Sequence, residues 1–449
     1  MRNKIIILVL LAQTSFLQGQ NNTKSIYSYY GLGEFQSANS ITVKTLGGSS
    51  MGMMPGSYPN LANPISIAGR KMVDFDIAIE ANTRLLKTQT AERTALAGTV
   101  NYVSLAFNTW HRDYKIRDTF GNVVRKIPVR HNMMFGLSPY SAMNYEFSVQ
   151  GDTTTNRTLL SAGGKGSLTS LHINQALQLL DTQLTFGFSY QYIFGTLLEN
   201  KLKNLLNDSN SIGYEQSINQ RISGRIFGVS ANYSGNLSAK KGYKQTIGAE
   251  YQFSSNFNND ALNLTRTVQN FFEVKDTLFN NQSKGKIAIP SKLSVGYGIQ
   301  NKNLWAISLD YTSQKMSSYS NPLSPSTLVD ISRYSLGFMV NPKRAENSGS
   351  GLSKIKSIEW RTGFFYQTGP YAVKINNSLT PISEYGINFG AGIPMVKKYD
   401  KQAYTSYVNL GVQYSQRGNT NNGLVMENVL RLNLSVSLSD LWFRRYNYN

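Results

Sequence analysis

The 449-residue sequence predicts an all-β fold, a transmembrane antiparallel β-barrel of fourteen strands with an N-terminal plug. Three observations predict it. Apolar and polar residues alternate with a period of two in segment after segment, the chain opens like an exported protein, and nothing later approaches the roughly 18 consecutive apolar residues of a membrane-spanning helix.

The elements follow in chain order. Arg2 and Lys4 precede the apolar run Ile5-Ile6-Ile7-Leu8-Val9-Leu10-Leu11, and a polar stretch containing Gly19 and Gln20 comes next. That is the layout of a cleaved secretory signal over residues 1–20, and the charged start fits export better than a buried N-terminal strand. Residues 21–70 do not alternate. They carry Gly47-Gly48-Ser49-Ser50-Met51-Gly52 and the prolines Pro55, Pro59 and Pro64, and are read as a plug, or hatch, for the lumen. A disordered periplasmic extension is the competing reading of the same composition.

Residues 71–449 are the barrel with a short C-terminal tail. The alternation is clearest where Leu184, Phe186, Phe188, Tyr190, Tyr192 and Phe194 share one face while Thr185, Gly187, Ser189 and Gln191 share the other. Leu430, Leu432, Leu434, Val436 and Leu438 repeat it against Arg431, Asn433, Ser435 and Ser437. A strand with one face in hydrocarbon and one in a polar lumen needs this pattern. A soluble sandwich alternates too, but tyrosines at strand ends and strands of nine or more residues favour the membrane.

Strands are expected near 72–86, 98–113, 130–150, 167–180, 183–199, 216–234, 243–256, 288–300, 304–316, 330–341, 355–368, 383–395, 403–416 and 424–438. With the N-terminus in the periplasm, the tight turns Asp181-Thr182-Gln183 and Asn301-Lys302-Asn303 fall on the periplasmic side. The stretches 200–216 and 256–286 then form long outer loops, the usual arrangement. Pro139 interrupts the third strand. Because proline cannot donate to a ladder, the reading is one kinked strand, or else two strands joined by a turn.

The chemistry points away from catalysis, metals and cofactors. There is no cysteine, which excludes a lipidated cysteine, a disulfide framework and a thiolate metal site. Among the three histidines, His172 shares an inferred lumen face with Ser170 and Asn174, but no nucleophile elbow or paired base accompanies them. Gly163-Gly164-Lys165-Gly166-Ser167 lacks phosphate-loop spacing and is read as an extracellular turn. Asp74, Asp76 and Glu80 share the polar face of the first strand, where a solvated lumen wall explains them better than a cation site. The net charge of +20 is scattered rather than gathered on one helix, which argues against nucleic acid. It suits attraction to outer-membrane lipid and lipopolysaccharide.

Several short motifs, in order, resemble the FadL-like outer-membrane transporter family in its divergent Bacteroidetes-type, Gram-negative form. They are Leu46-Gly47-Gly48, Asn63-Pro64-Ile65, Gly136-Leu137-Ser138-Pro139-Tyr140-Ser141, Tyr192-Ile193-Phe194-Gly195, Glu384-Tyr385-Gly386-Ile387, Gly390-Ala391-Gly392-Ile393-Pro394 and Leu438-Ser439-Asp440-Leu441-Trp442-Phe443. The resemblance implies a fourteen-stranded barrel with a hatch, whose motif here is Asn63, Pro64 and Ile65, with Ile65 in place of the family's alanine. It also implies a lateral opening at a third-strand kink, here Ser138, Pro139 and Tyr140. The function implied is passive uptake of hydrophobic, fatty-acid-like molecules across the cell outer membrane, with residues 197–206 as an amphipathic helix on an outer loop. Some relatives are instead non-transporting partners in outer-membrane complexes such as type IX secretion machinery, which is the alternative.

Overall fold

In the computed structural model the alternating segments become one continuous wall. It describes residues 23–440 apart from 121–122, 153–156, 180–182, 206–211, 239, 270–272, 302–303, 342–356, 376–377, 400–401 and 422–423. The proposed signal, Leu441-Trp442-Phe443 in the tail, and the turn residues Asp181, Thr182, Lys302 and Asn303 lie outside the described residues.

One two-residue strand, β1 (Glu34–Phe35), lies in the lumen. The wall begins with β2 (Val73–Lys87), β3 (Glu92–Arg117), β4 (Val123–Asp152), β5 (Arg157–Leu179), β6 (Leu184–Leu205) and β7 (Ile212–Ser238). Next come β8 (Tyr243–Gln252), β9 (Ser255–Gln269), β10 (Glu273–Ile289), β11 (Lys292–Asn301), β12 (Trp305–Gln314) and β13 (Ile331–Val340). It ends with β14 (Glu359–Ile375), β15 (Ser378–Tyr399), β16 (Gln402–Arg417) and β17 (Met426–Asp440). β8 and β9 both run along β7, so they are two halves of one wall strand. β10 and β11 are likewise halves of the next, broken at Pro290, which has no N–H to offer the ladder. The wall is therefore a fourteen-stranded antiparallel barrel. β17 pairs with β2 from Val73↔Asp440 to Lys87↔Met426, which closes it.

The faces sort as lipid requires. Phe186, Phe188 and Phe194 are exposed on the outside while Thr185, Ser189 and Gln191 are buried inside. On β17, Leu432 is 52% exposed and Asn433 and Ser435 are buried. An apolar outer band of this kind is stable only in hydrocarbon. We call the rim where residue 72 passes into β2 the near rim, and the opposite one the far rim.

Three expectations are corrected. The described residues of 200–216 and 256–286 are not outer loop: β6 runs to Leu205, β7 starts at Ile212, β9 runs to Gln269 and β10 starts at Glu273, all as paired strands, because each has a neighbour that satisfies its backbone groups. Of the expected loop helix at 197–206, the described residues 197–205 are strand instead. β6 continues to Leu205 between β5 and β7, with Leu197 and Glu199 both turned inward in period-two fashion. Gly163 to Ser167 is not a turn but part of β5, paired with residues 196–200 of β6.

Residues 23–72 cross the lumen from far rim to near rim. They contain a 3-10 turn at Ile26–Tyr29, β1, a one-turn helix at Ile41–Thr45 and a 3-10 turn at Pro64–Ile67. At the far end the Ser25 hydroxyl donates to Glu427 at 2.7 Å, and at the near end Arg70 pairs with Asp74.

Candidate functional site

The third wall strand, β4, divides into two unlike halves. From Val103↔Leu137 to Arg117↔Val123 it pairs with β3. Beyond Leu137 that ladder ends. Residues 92–102 of β3 pair only with β2, while β4 goes on pairing with β5 as far as Asp152. The parting point carries Pro139 and a bulge, since Pro139 faces Thr169 but Ser141 faces Leu168, leaving Tyr140 extra. A proline and a bulge both bend a strand and interrupt its pairing.

The bend spreads sideways through two glycines. Gly166 on β5 (φ +127°) and Gly195 on β6 (φ +156°) sit beside it, where a Cβ would strike the backbone oxygens of Thr196 and Ser167 respectively. Past the bulge, Ser141, Ala142 and Met143 are all buried, so alternation lapses where the strand leaves the wall for the lumen.

The lumenal segment takes the place of the missing neighbour. Glu34 pairs with Ala142 and Phe35 with Ser141, and the Gln36 N–H donates to the Tyr140 carbonyl at 2.9 Å. One step on, the Asn144 N–H donates to the Ser28 hydroxyl at 3.1 Å. Aromatic rings seal the join: Phe35 meets Tyr140 edge-on at 5.8 Å, and Tyr29 meets Tyr145 at 5.3 Å and Phe147 at 5.8 Å. Such edge contacts add about 0.5–1.5 kcal/mol each beyond burial.

Charge fixes the segment to the opposite wall. Glu34 contacts Arg84 at 3.0 Å, Arg417 at 2.7 Å and Arg431 at 3.9 Å. Burial alone would raise its carboxyl pKa, but these three guanidiniums outweigh it and hold the pKa well below the usual carboxylate range. Arg84 and Arg417 also reach Glu427, Arg417 binds Glu384 at 2.6 Å, and Lys44 of the segment binds Glu80 at 2.8 Å.

Nearer the near rim the contacts are mostly backbone. Asp310 accepts the consecutive N–H groups of Ser50, Met51 and Gly52 at 2.5, 2.7 and 3.0 Å, an anion nest turned onto the wall. The Asn174 amide donates to the Leu61 carbonyl at 2.9 Å. Wall glycines let the segment approach closely. A Cβ on Gly337 or Gly363 would collide with Leu46, and one on Gly248 would collide with Met51. The first-strand acids are used in the same way: Asp74 by Arg70 and Ser439, Asp76 by Tyr102, and Glu80 by Lys44 and Arg431. Among the described residues no group of three or more His, Asp or Glu side chains is placed to hold a metal ion.

A cavity of about 360 Å³ remains in the lumen beside the bulge. Phe35, Tyr140 and Phe365 line part of it, but so do Lys44, Glu80, Glu250, Lys292, Asp310, Arg333, Glu384 and Arg431. The apolar part of the lumen lies beside it and is filled, with Ile226, Ile289 and Met316 belonging to both. Leu168, Ile193, Leu197, Ile222 and Phe257 of the wall pack with Met143 and Tyr145 of the bent strand and Leu32 of the segment.

Comparison with known proteins places this geometry. The model of the BamG family matches residues 1–449. The chain belongs to the BamG family. No curated protein matches this BamG-family sequence. Among solved structures it is similar to the P. putida toluene transporter TodX, at 15% identity over 92% of this chain and 100% of that one, with a TM-score of 0.53. It is also similar to a Pseudomonas aeruginosa FadL homologue, at 10% identity over 90% and 98%, with a TM-score of 0.54. At such identities the likeness is one of fold: the BamG-family chain has the fourteen-stranded barrel fold of FadL and TodX.

In the BamG-family barrel the sequence-derived candidates separate. Ser138, Pro139 and Tyr140 form the bend. Asn63, Pro64 and Ile65 lie buried against β5, β6 and β7; the Asn63 amide donates to the Ser50 carbonyl at 3.1 Å, and Pro64 and Ile65 pack where a Cβ on Gly187 would be 3.0 Å away. The segment residues at the bend are Glu34, Phe35 and Gln36, which sequence reasoning missed because a two-residue strand has no periodicity. His172 does face the lumen, but its Nε2 meets the Ser138 hydroxyl at 2.9 Å rather than Ser170, and Asn174 is engaged with Leu61. Among the described residues none completes a hydrolytic triad around it.

Proposed function

We propose that the protein is a non-transporting accessory barrel, a partner in an outer-membrane protein complex, with residues 1–20 removed on export and residues 21–70 acting as a closed hatch. The observation that carries this reading is the state of the lumen. The hatch is tied to the wall by ion pairs around Glu34 and by the Asp310 nest, the apolar space is filled by the protein's own side chains, and the open space has charged groups set among its apolar lining. An apolar ligand placed in that cavity would displace water from the charged groups on its wall without offering them a polar partner. Membership of the BamG family, whose name points to an outer-membrane complex, supports the same reading.

One observation favours a second reading, passive uptake of hydrophobic molecules: the wall is parted between β3 and β4, and Ser138, Pro139 and Tyr140 mark where a side exit would lie. TodX is a toluene transporter of the same fold. Purification of the native protein in mild detergent separates the two. A stoichiometric protein complex with no lipid or small hydrophobic molecule found by mass spectrometry is the expected result. A lone barrel carrying a bound hydrophobic molecule would replace the partner reading with uptake.

A further inference from the structure

The β3–β4 hairpin also departs from the wall at its other end. On the near rim β3 keeps β2 as a partner only as far as Ala106, and β4 keeps β5 only down to Arg130. Beyond those points Arg112 to Arg117 and Val123 to Val129 pair with each other alone, while Phe107 to His111 face Arg130 to Met133, which β5 still holds. At about 3.4 Å per residue this free ribbon extends some 20–25 Å. Residues 109–115 are exposed on both faces.

An isolated two-stranded ribbon in water is marginal at best, so its sequence should at least favour pairing. It does the reverse. The register sets Lys115 directly opposite Lys126, and like charges at facing positions of a strand pair destabilise it. From Phe107 to Arg130 the sequence carries Arg112, Lys115, Arg117, Arg125, Lys126 and Arg130 against only Asp113 and Asp118. Large rings accompany this charge in the open: Trp110 is 44% exposed, Tyr114 50% and Phe120, near the tip, 88%. Aromatic residues with arginine are the usual anchors of a protein interface.

We infer that this ribbon is a docking finger for the acidic surface of a partner protein, on the side of the membrane that the near rim faces. The inference rests on the partner reading above and says where and to what the barrel binds. The mutual repulsion of the finger's cations is relieved when carboxylates lie against them, and the exposed rings supply buried area at the same contact. A lipid surface fits less well. It would meet the root of the finger beside the wall, whereas Phe120 stands at the far end of the ribbon, away from the bilayer.

The test uses the full-length protein in native membranes, with a photo-crosslinking residue at Phe120 or Tyr114 and sequencing of the crosslinked peptide. The expected product is one protein joined through a segment of net negative charge. Its yield should fall about tenfold or more in the Arg112→Glu, Lys115→Glu, Arg117→Glu variant, and should fall as salt is raised. The variant's barrel should stay folded, judged by its resistance to SDS without heating. If the triple variant fails to insert, Lys115→Glu alone is read the same way. Crosslinks to phospholipid, to a neutral or basic segment, or at a yield that charge reversal leaves unchanged would overturn the finger. If the reversed variant still co-purifies with the wild-type partner, only the finger falls. If the wild-type protein brings no stoichiometric partner at all, the accessory reading falls with it.

Discussion

The two halves of β4 are built from one strand and held by different means. Below Leu137 it is an ordinary wall strand: β3 supplies its hydrogen bonds, and Phe135 and Leu137 face outward. Above Pro139 it has lost β3, and two hatch residues, a hydroxyl and a ring of aromatics stand in. The lower half depends on the ladder, and the upper half depends on a segment that is itself held by charge. A seam can therefore be open as a wall and shut as a surface.

Cysteine pairs test this contrast most sharply, because the chain has no cysteine of its own. Leu105→Cys with Phe135→Cys, directly paired below the bend, should form a disulfide under mild oxidation, read as a shift on a non-reducing gel. Phe35→Cys with Ser141→Cys should do the same. Thr99→Cys with Ser141→Cys, which an unbroken ladder would bring together, should give none; an efficient crosslink there would mean that the seam closes.

Next in size is Glu34→Ala, which leaves Arg84, Arg417 and Arg431 short of a carboxylate in a buried site. A loss of about 3–5 kcal/mol is expected, measured by denaturant unfolding in detergent, together with faster hydrogen exchange over residues 25–36. If both are unchanged, the upper half does not depend on charge. The same carboxylate sets an acid limit. Its pKa is depressed in the folded protein, so its stabilisation is complete above the ordinary value of 4.5 and is lost as pH falls through the lower folded value. Exchange protection of residues 25–36 should be level from pH 8 to about pH 5 and decline only in stronger acid. Protection already falling at pH 6 would contradict the assignment. The smallest effect is expected of Pro139→Ala. The Tyr140 bulge and the Gln36 bond also hold the bend, so unfolding should shift by no more than about 1 kcal/mol and the cysteine results should stand.

How far the sequence could be read follows from what enforces each pattern. Phe186, Phe188, Tyr190 and their counterparts were legible because hydrocarbon on one side and a polar lumen on the other impose a period of two. Strand ends were not. Residues 273–282 and 109–115 are exposed on both faces, so only the ladder keeps the chain extended there and either face tolerates polar side chains. Pro139 was legible as a bend, since proline leaves a gap in any ladder. The partners of the bend were not, because Glu34 and Phe35 reach it through tertiary placement alone.

The glycines that let the hatch lie against the wall bear on the history of each molecule. Residues 23–72 precede every strand that surrounds them, and Gly248, Gly337 and Gly363 leave clearance for a backbone already in position but for little else. The junction that shuts the cylinder joins the first wall strand to the last, Val73 to Asp440. A filling so closely fitted is set most easily before that junction forms, which suits the leading fifty residues to be the mandrel on which the barrel is rolled.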